Sequence, residues 1–217
     1  MTTYNPKTIT HEIKVNRIRR LLNGLPDPVK LKYQWDDEAL WSLTNQQVAK
    51  VICSELTKLP HISAKSIITD ATASVGGTSI PFAKHFSHVN SIENNMVRKL
   101  MLDNNIKLCD LVNISTYYGD CRNVIPKLKQ DIIFFDPPWG INYKDAPMRT
   151  LRLKLSGVTI ENLISLYHDS AKYCAIKLPC NYDFMYFEKN IKSCEIILTM
   201  NFGKPNSFIL IIVKFAV

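Results

Sequence analysis

Asp136-Pro137-Pro138-Trp139-Gly140 is the stretch whose side chains and backbone together could do chemistry. It follows the apolar run Ile132-Ile133-Phe134-Phe135, which reads as a buried parallel strand, so the motif falls at a strand's carboxyl end. Two prolines in succession hold φ near about −65° and carry no N–H, which points the carbonyls of Asp136 and Pro137 from a stiff backbone that cannot continue a ladder. With the Asp136 carboxylate they make a set of acceptors for an exocyclic amine. Trp139 adds an indole face wide enough to stack on a nucleobase, an interaction of about 1–3 kcal/mol per base. The chemistry expected of such a site is methyl transfer to a base amine, with Asp136, Pro137, Pro138 and Trp139 as the catalytic set. The same run could also simply end a strand and leave Trp139 in the core, so the rest of the chain has to weigh in.

The elements that must hold this motif alternate as a doubly wound fold requires. Ser66 to Asp70 reads as a strand, Gly76-Gly77 as a tight turn and Ser79 to Phe86 as a helix. A strand at His88 to Ile92, a helix from Asn95 to Asn104, and strands at Asn113 to Tyr117 and Asp131 to Phe135 follow. Thr159 to Tyr173 reads as a helix and Cys174 to Leu178 as a strand. Cys194 to Asn201 and Phe208 to Phe215 are apolar β-rich runs joined by Gly203-Lys204-Pro205-Asn206, which suits an antiparallel hairpin. Ahead of the core, Thr44 is the expected N-cap of a helix from Asn45 to Leu59, with Gln47 completing a capping box and Pro60 stopping it. The expected fold is α/β and Rossmann-like, a mostly parallel seven-stranded sheet ending in an antiparallel hairpin and preceded by a short basic arm. Residues 1–60 read as arm and leading helix, residues 61–217 as the core.

Ligands of such sheets bind at strand carboxyl ends, and three acidic residues stand there. Asp70 opens Asp70-Ala71-Thr72-Ala73-Ser74-Val75-Gly76-Gly77, where the glycines would admit an adenosyl ligand close to the backbone and Asp70 could meet a ligand ammonium. Glu93, followed by Asn94, could take both hydroxyls of a ribose; Asp120, followed by Cys121, could accept from an adenine amine. The turn lacks the Gly-x-Gly-x-x-Gly spacing of the nicotinamide fingerprint, and no Gly-x-x-x-x-Gly-Lys-Ser/Thr run occurs, so no phosphate cradle is indicated.

Composition sets the partner class. The formal net charge is +8, and residues 1–35 carry Lys7, Lys14, Arg17, Arg19, Arg20, Lys30 and Lys32 against Glu12 and Asp27. A second basic cluster, Lys144, Arg149, Arg152 and Lys154, follows Trp139. Two such clusters around one candidate base pocket suit a polyanion. The six cysteines form no Cys-x-x-Cys pair, and the five histidines are scattered, so neither a metal site nor a disulfide framework is expected. No apolar run approaches membrane-spanning length and no signal-peptide pattern opens the chain, which predicts a soluble intracellular protein, cytoplasmic or nuclear, acting as a monomer without membrane contact.

Four segments resemble class I S-adenosylmethionine-dependent methyltransferases, and within them the trimethylguanosine synthase, or RNA cap guanine-N2 methyltransferase, family. Trp41-Ser42-Leu43-Thr44 is similar to the family's aromatic-Ser-Val-Thr element. Asp70 to Ala83 resembles its Asp-x-Phe-x-Gly-x-Gly-Gly-Asn-x-Ile-x-Phe-Ala, with Ser74 at the first glycine. Asp136-Pro-Pro-Trp-Gly140 with Tyr143 resembles its Ser-Pro-Pro-Trp-Gly-Gly-x-x-Tyr, with Asp136 for serine and Ile141 for the second glycine. Lys177-Leu-Pro-Cys-Asn181 resembles its Leu-Pro-Arg-Asn element, with Cys180 for arginine. The resemblance implies S-adenosyl-L-methionine as cofactor, held by Thr44, Asp70, Ala71, Thr72, Ala73, Gly76, Gly77, Glu93, Asn94, Asp120, Cys121 and Asp136. It implies a capped RNA as partner, its 7-methylguanosine on Trp139 and Tyr143, with Pro179 and Asn181 beside the pocket and Lys32, Arg149 and Arg152 toward phosphates. The reaction implied is methylation of the guanine N2 amine, in a compact chain that suits a virus. Asp-Pro-Pro-Trp is also the form of adenine-N6 methyltransferases, so adenine, or an internal guanine of DNA or RNA, is the alternative acceptor. A silent subunit that keeps the fold for RNA binding is a further one.

Overall fold

The structure is a computed structural model that describes residues 11–140, 142–203 and 208–216. Lys7, Ile141 and the turn residues Lys204, Pro205 and Asn206 lie outside them. Among the described residues, seven strands form one sheet in the order β3-β2-β1-β4-β7-β9-β8, where β1 is Ile67–Asp70, β2 His88–Glu93, β3 Ile114–Tyr118, β4 Ile132–Phe135, β7 Tyr173–Pro179, β8 Cys194–Phe202 and β9 Phe208–Phe215. β3, β2, β1, β4 and β7 run parallel, and β9 lies antiparallel between β7 and β8. This is the sheet expected from the sequence. The wholly apolar β4 is buried along its length, as a central parallel strand must be.

Strand order, not strand direction, reverses between β1 and β4: β2 and β3 follow β1 to one side, and β7, β9 and β8 lie beyond β4 on the other. That switch point opens a crevice beyond the carboxyl ends of the two strands, where ligands of open α/β sheets bind. Asp70 ends β1 and Asp136 follows β4.

Helices differ more from expectation. The arm, read from the sequence as irregular or partly helical, carries three helices among its described residues: α1 His11–Leu21, α2 Asp27–Lys32 and α3 Asp37–Ser42. Ile18, Leu22, Tyr33, Leu40 and Leu43 share one buried cluster with Ala73, Val75, Ile80, Leu102 and Ile106 of the core. The arm's apolar face therefore folds onto the sheet's own helices, and Asn105, fully buried on α6 (Met96–Leu108), exchanges hydrogen bonds with the Gln34 backbone at 2.8 and 2.9 Å.

Three local expectations are corrected. Asn45, not Thr44, caps α4 (Gln46–Thr57), its side chain accepting from the Gln47 N–H, so no capping box forms. The helix expected from Thr159 to Tyr173 stops early: α8 spans Ile160–Ser165, and turns carry the chain to Tyr173, which already belongs to β7. The helix expected from Ser79 to Phe86 is the short α5, Ser79–Phe82, followed by turns. α7 (Cys121–Val124), the hairpin of β5 (Lys154–Leu155) with β6 (Val158–Thr159), and α9 (Phe184–Asn190) were not anticipated. No described helix is long and apolar enough to cross a membrane.

Candidate active site

A cleft of about 570 Å³, counting the part open to solvent, lies at the switch point. Ala71, Thr72, Ser74, Ile92, Glu93, Asn94, Gly119, Cys121, Asp136 and Pro138 line it, together with Glu38 and Ser42 from the arm and Leu155 and Ser156 from the β5–β6 hairpin. The small residues leave room over the sheet edge, and Ile92 supplies an apolar wall. Glu93 is nearly buried; its Oε2 accepts from the Ser74 N–H at 2.9 Å and its Oε1 from the Asn95 N–H at 2.8 Å. Burial raises its pKa, while those two donors oppose the rise. Two fixed carboxylate oxygens facing a cleft are the arrangement needed to accept from a pair of hydroxyls.

Across the crevice, Asp136 is gripped from three sides. Its N–H donates to Thr72 Oγ1 at 2.8 Å, and its Oδ2 accepts from Lys177 Nζ at 2.6 Å and from Thr44 Oγ1 at 3.1 Å. Lys177 Nζ also donates to Thr44 Oγ1 at 3.0 Å and stands 5.1 Å from the centroid of the Trp139 ring. Tyr143 meets Trp139 edge to face, with centroids 5.0 Å apart. The buried Trp139 Nε1 has no partner among the described residues. Acceptor, ammonium and aromatic plate thus meet at the end of β4 and open onto the cleft through Asp136 and Pro138.

A family profile described as RNA cap guanine-N2 methyltransferase matches residues 65–198, more than half of the chain. The chain belongs to that family. It is 35% identical over 211 residues to an uncharacterized protein of Acanthamoeba polyphaga mimivirus, covering 84% of this chain and 81% of that one. The fold is that of the precorrin-6y C5,15-methyltransferase of Geobacter metallireducens, with a TM-score of 0.58 at 14% identity, covering 91% of this chain and 98% of that one. A Streptococcus mutans protein solved in complex with SAH superposes with a TM-score of 0.54 at 12% identity over 76% of this chain and 96% of its own. As a class I methyltransferase of this cap family, the chain takes S-adenosylmethionine as cofactor. The cleft fits it: fixed carboxylate oxygens on Glu93, small residues at Ala71, Thr72 and Gly119, and an apolar wall at Ile92.

Several residues expected in the family's pocket lie elsewhere. Asp70 is fully buried beneath the turn, where Thr78 and Ser79 hydroxyls each donate to its Oδ2 at 2.7 Å. Burial pushes its pKa up to about 6, and its carboxylate braces the turn. Ala73 packs in the arm–core cluster. A Cβ on Gly76 would meet Leu102 and Ile80 side chains at 3.0 and 3.1 Å, and one on Gly77 would meet Leu43 Cδ1 at 2.6 Å and Thr44 N at 3.2 Å. The two glycines therefore let the turn pack closely against Leu43, Thr44, Ile80 and Leu102. Ser74, at the family's first glycine, has φ of 48°, the left-handed conformation that glycine adopts freely.

Asp120 is also occupied. It caps α7 through the Arg122 N–H at 2.9 Å and pairs with the Arg122 guanidinium at 2.7 Å; those hydrogen bonds lower its pKa to about 2. Its neighbours Gly119 and Cys121 line the cleft instead, the Cys121 thiol pushed up to about 12 by burial. Asn181 is buried, and its Nδ2 donates to the carbonyls of Tyr143 at 2.7 Å and Ala146 at 3.0 Å, fixing the loop after Trp139. Pro179 ends β7 in the interior. Arg149 is exposed; Arg152 pairs with Asp183 at 3.0 Å and lies over the Tyr186 ring at 3.6 Å. Lys32 is exposed at the end of α2, and in the arm Lys14 pairs with Asp37 and Lys30 with Asp27. Sequence reasoning gave no individual role to Lys177 or Glu38 and did not foresee the β5–β6 hairpin, although Ser42 belongs to the Trp41–Thr44 element and Lys154 to the second basic cluster. The available signal was Lys177 itself, one cation inside the otherwise apolar run Tyr173-Cys-Ala-Ile-Lys-Leu-Pro179.

Proposed function

We propose that this chain methylates the N2 amine of 7-methylguanosine at the cap of an RNA, acting as a monomer. One observation carries the reading: the Asp136 carboxylate and the Trp139 ring flank the same Lys177 ammonium, at 2.6 and 5.1 Å, at the edge of the cofactor cleft. S-adenosylmethionine, when bound, supplies an electrophilic methyl group on a sulfonium sulfur. In this reading Glu93 holds the ribose hydroxyls, and Thr72 and Asn94 line the rest. Trp139 and Tyr143 hold the plane of the purine. Asp136 Oδ1 and the Pro137 carbonyl accept the amine protons, which turns the nitrogen lone pair out of conjugation and toward the cleft. The nitrogen would take the methyl carbon as that carbon's bond to the sulfonium sulfur breaks, leaving a neutral thioether, and the cationic nitrogen would then lose its proton through Asp136 to solvent. Orientation of this kind removes several kcal/mol from a barrier without a strong base. Lys144 and Arg149, exposed beyond Trp139, serve the cap phosphates, with Arg152 and Lys32 farther along the chain's path.

A second reading, an adenine amine or an internal guanine of DNA or RNA as acceptor, is favoured by one feature. Asp136 stands where the resembling family has serine, and a carboxylate serves any exocyclic amine. Trp139→Ala tests the plate common to both. Turnover should fall by at least about 10²-fold while affinity for the cofactor changes by less than about threefold. Equal loss of both would contradict the assignment of Trp139 to the acceptor.

A further inference from the structure

Lys177 is the strangest residue of the sheet. It lies near the end of β7, 7% exposed, in a strand otherwise buried and apolar. Removing an ammonium and a carboxylate from water costs several kcal/mol each, and a well-packed apolar pair in the same volume is often as stable or more so. Stability alone gives little reason to keep the pair. Its geometry gives a better one. Lys177 Nζ binds Asp136 Oδ2 at 2.6 Å and Thr44 Oγ1 at 3.0 Å, and Thr44 Oγ1 donates in turn to the same Oδ2 at 3.1 Å, closing a triangle on one carboxylate oxygen. The backbone end of Asp136 is tied separately to Thr72. The ammonium also stands 5.3 Å from the Phe208 ring and 5.1 Å from Trp139, so aromatic faces confine it while the carboxylate holds it.

We infer that Lys177 is a positioning residue for the acceptor amine: with Thr44 it locks Asp136 through Oδ2, so that Oδ1 alone is presented, at a fixed angle to Trp139. The inference rests on the reading of Asp136 as the amine's partner and deepens it. A carboxylate with both oxygens free could rotate or take two donors side by side. Locked by one oxygen, it accepts a single amine hydrogen in one direction, and methyl transfer gains from that direction rather than from added affinity. Thr44 couples the lock to the arm, since it lies between Leu43 of the arm cluster and the Asn45 cap of α4.

The test compares wild type with Lys177→Met, Lys177→Arg and Thr44→Val, using whichever acceptor the wild type labels among 7-methylguanosine cap analogue, GTP and an adenine-containing oligonucleotide. For Lys177→Met we expect kcat to fall about 10²-fold, with acceptor KM and SAH affinity each within about threefold, and partial rescue in Lys177→Arg. Thr44→Val, which keeps the ammonium, should lose about three- to tenfold in kcat with KM unchanged, and it carries the test if Lys177→Met does not fold. A crystal structure of the SAH-bound variant reads the same point without any acceptor: the Asp136 carboxylate should leave its wild-type rotamer or divide between two. Unchanged kcat, loss of kcat only in step with SAH affinity and melting temperature, or an unmoved carboxylate would overturn the inference. Labelling of the oligonucleotide alone, with the kcat pattern intact, would overturn the cap reading and leave the lock standing.

Discussion

Replacing Gly77 with alanine separates a turn built for a ligand from a turn built for the protein. The added Cβ would lie 2.6 Å from Leu43 Cδ1 and 3.2 Å from the backbone nitrogen of Thr44. Leu43 is buried, so its side chain must repack, and Thr44 is tied to Asp136 and Lys177, so the backbone contact resists relief. Overpacking of this kind costs about 1–3 kcal/mol. Alanine returns about 0.4–1 kcal/mol by restricting the unfolded chain, which leaves a net loss centred on about 1.3 kcal/mol. At about 2–4 °C per kcal/mol for a chain of this size, the melting temperature should fall by about 3–5 °C. The measurement is thermal unfolding of ligand-free Gly77→Ala beside wild type, paired with calorimetric titration of SAH. A fall without ligand is expected, with SAH affinity weakened only as far as Thr44 shifts. An unchanged melting temperature with SAH binding abolished would refute the packing argument and return the glycine to the ligand.

Three further outcomes follow from the same geometry. Ser74→Gly should raise the melting temperature by about 1–2 °C, because a left-handed serine costs about 1–2 kcal/mol and glycine gives back only part of that as chain entropy; a fall would mean the serine side chain makes a needed contact. Asp70 has its pKa raised by burial to about 6, so the native state holds a proton that the unfolded chain releases near 3.8, and stability declines as pH rises through that interval. Asp70→Asn should flatten the decline, worth up to about 3 kcal/mol, leaving the smaller part of the same sign from Glu93; a slope identical to wild type in urea titrations across this range would contradict it. Arg149→Ala should reduce the slope of log affinity for a capped oligonucleotide against log salt by about 0.7, with an unchanged slope removing Arg149 from the phosphate path.

The strands could be found in the sequence because each is a short apolar run cut off by glycine, proline or an acidic residue, and their alternation with helices fixes a parallel sheet almost by itself. Ile132 to Phe135 was legible in this way to within one residue. The arm was legible only as partly helical, and its helices were not placed, because α2 and α3 are six-residue helices with little propensity signal, held by burial of Leu40 and Tyr33 against the core rather than by their own periodicity. α8 was drawn too long because the apolar pattern runs on through Tyr167, which is buried from a turn. At the site, the strand-end rule found Glu93 and Asp136 but could not tell carboxylates that face the cleft from those that brace it. Asp70 and Asp120 have the same strand-end position but do not line the cleft: Asp70 is fully buried against the Thr78 and Ser79 hydroxyls, and Asp120 pairs with Arg122. The Lys177–Asp136 contact joins residues 41 apart on neighbouring strands, a pairing that only the register of β4 with β7 creates.

The central claim is the identity of the acceptor, and label transfer tests it most directly. Methyl-labelled S-adenosylmethionine should be offered with 7-methylguanosine cap analogue, unmethylated cap, GTP and an adenine-containing oligonucleotide in parallel, and the labelled nucleoside recovered after digestion. Label is expected on N2 of the 7-methylated cap and on none of the others. Label on the oligonucleotide alone, or on unmethylated guanine as readily as on the cap, would contradict it.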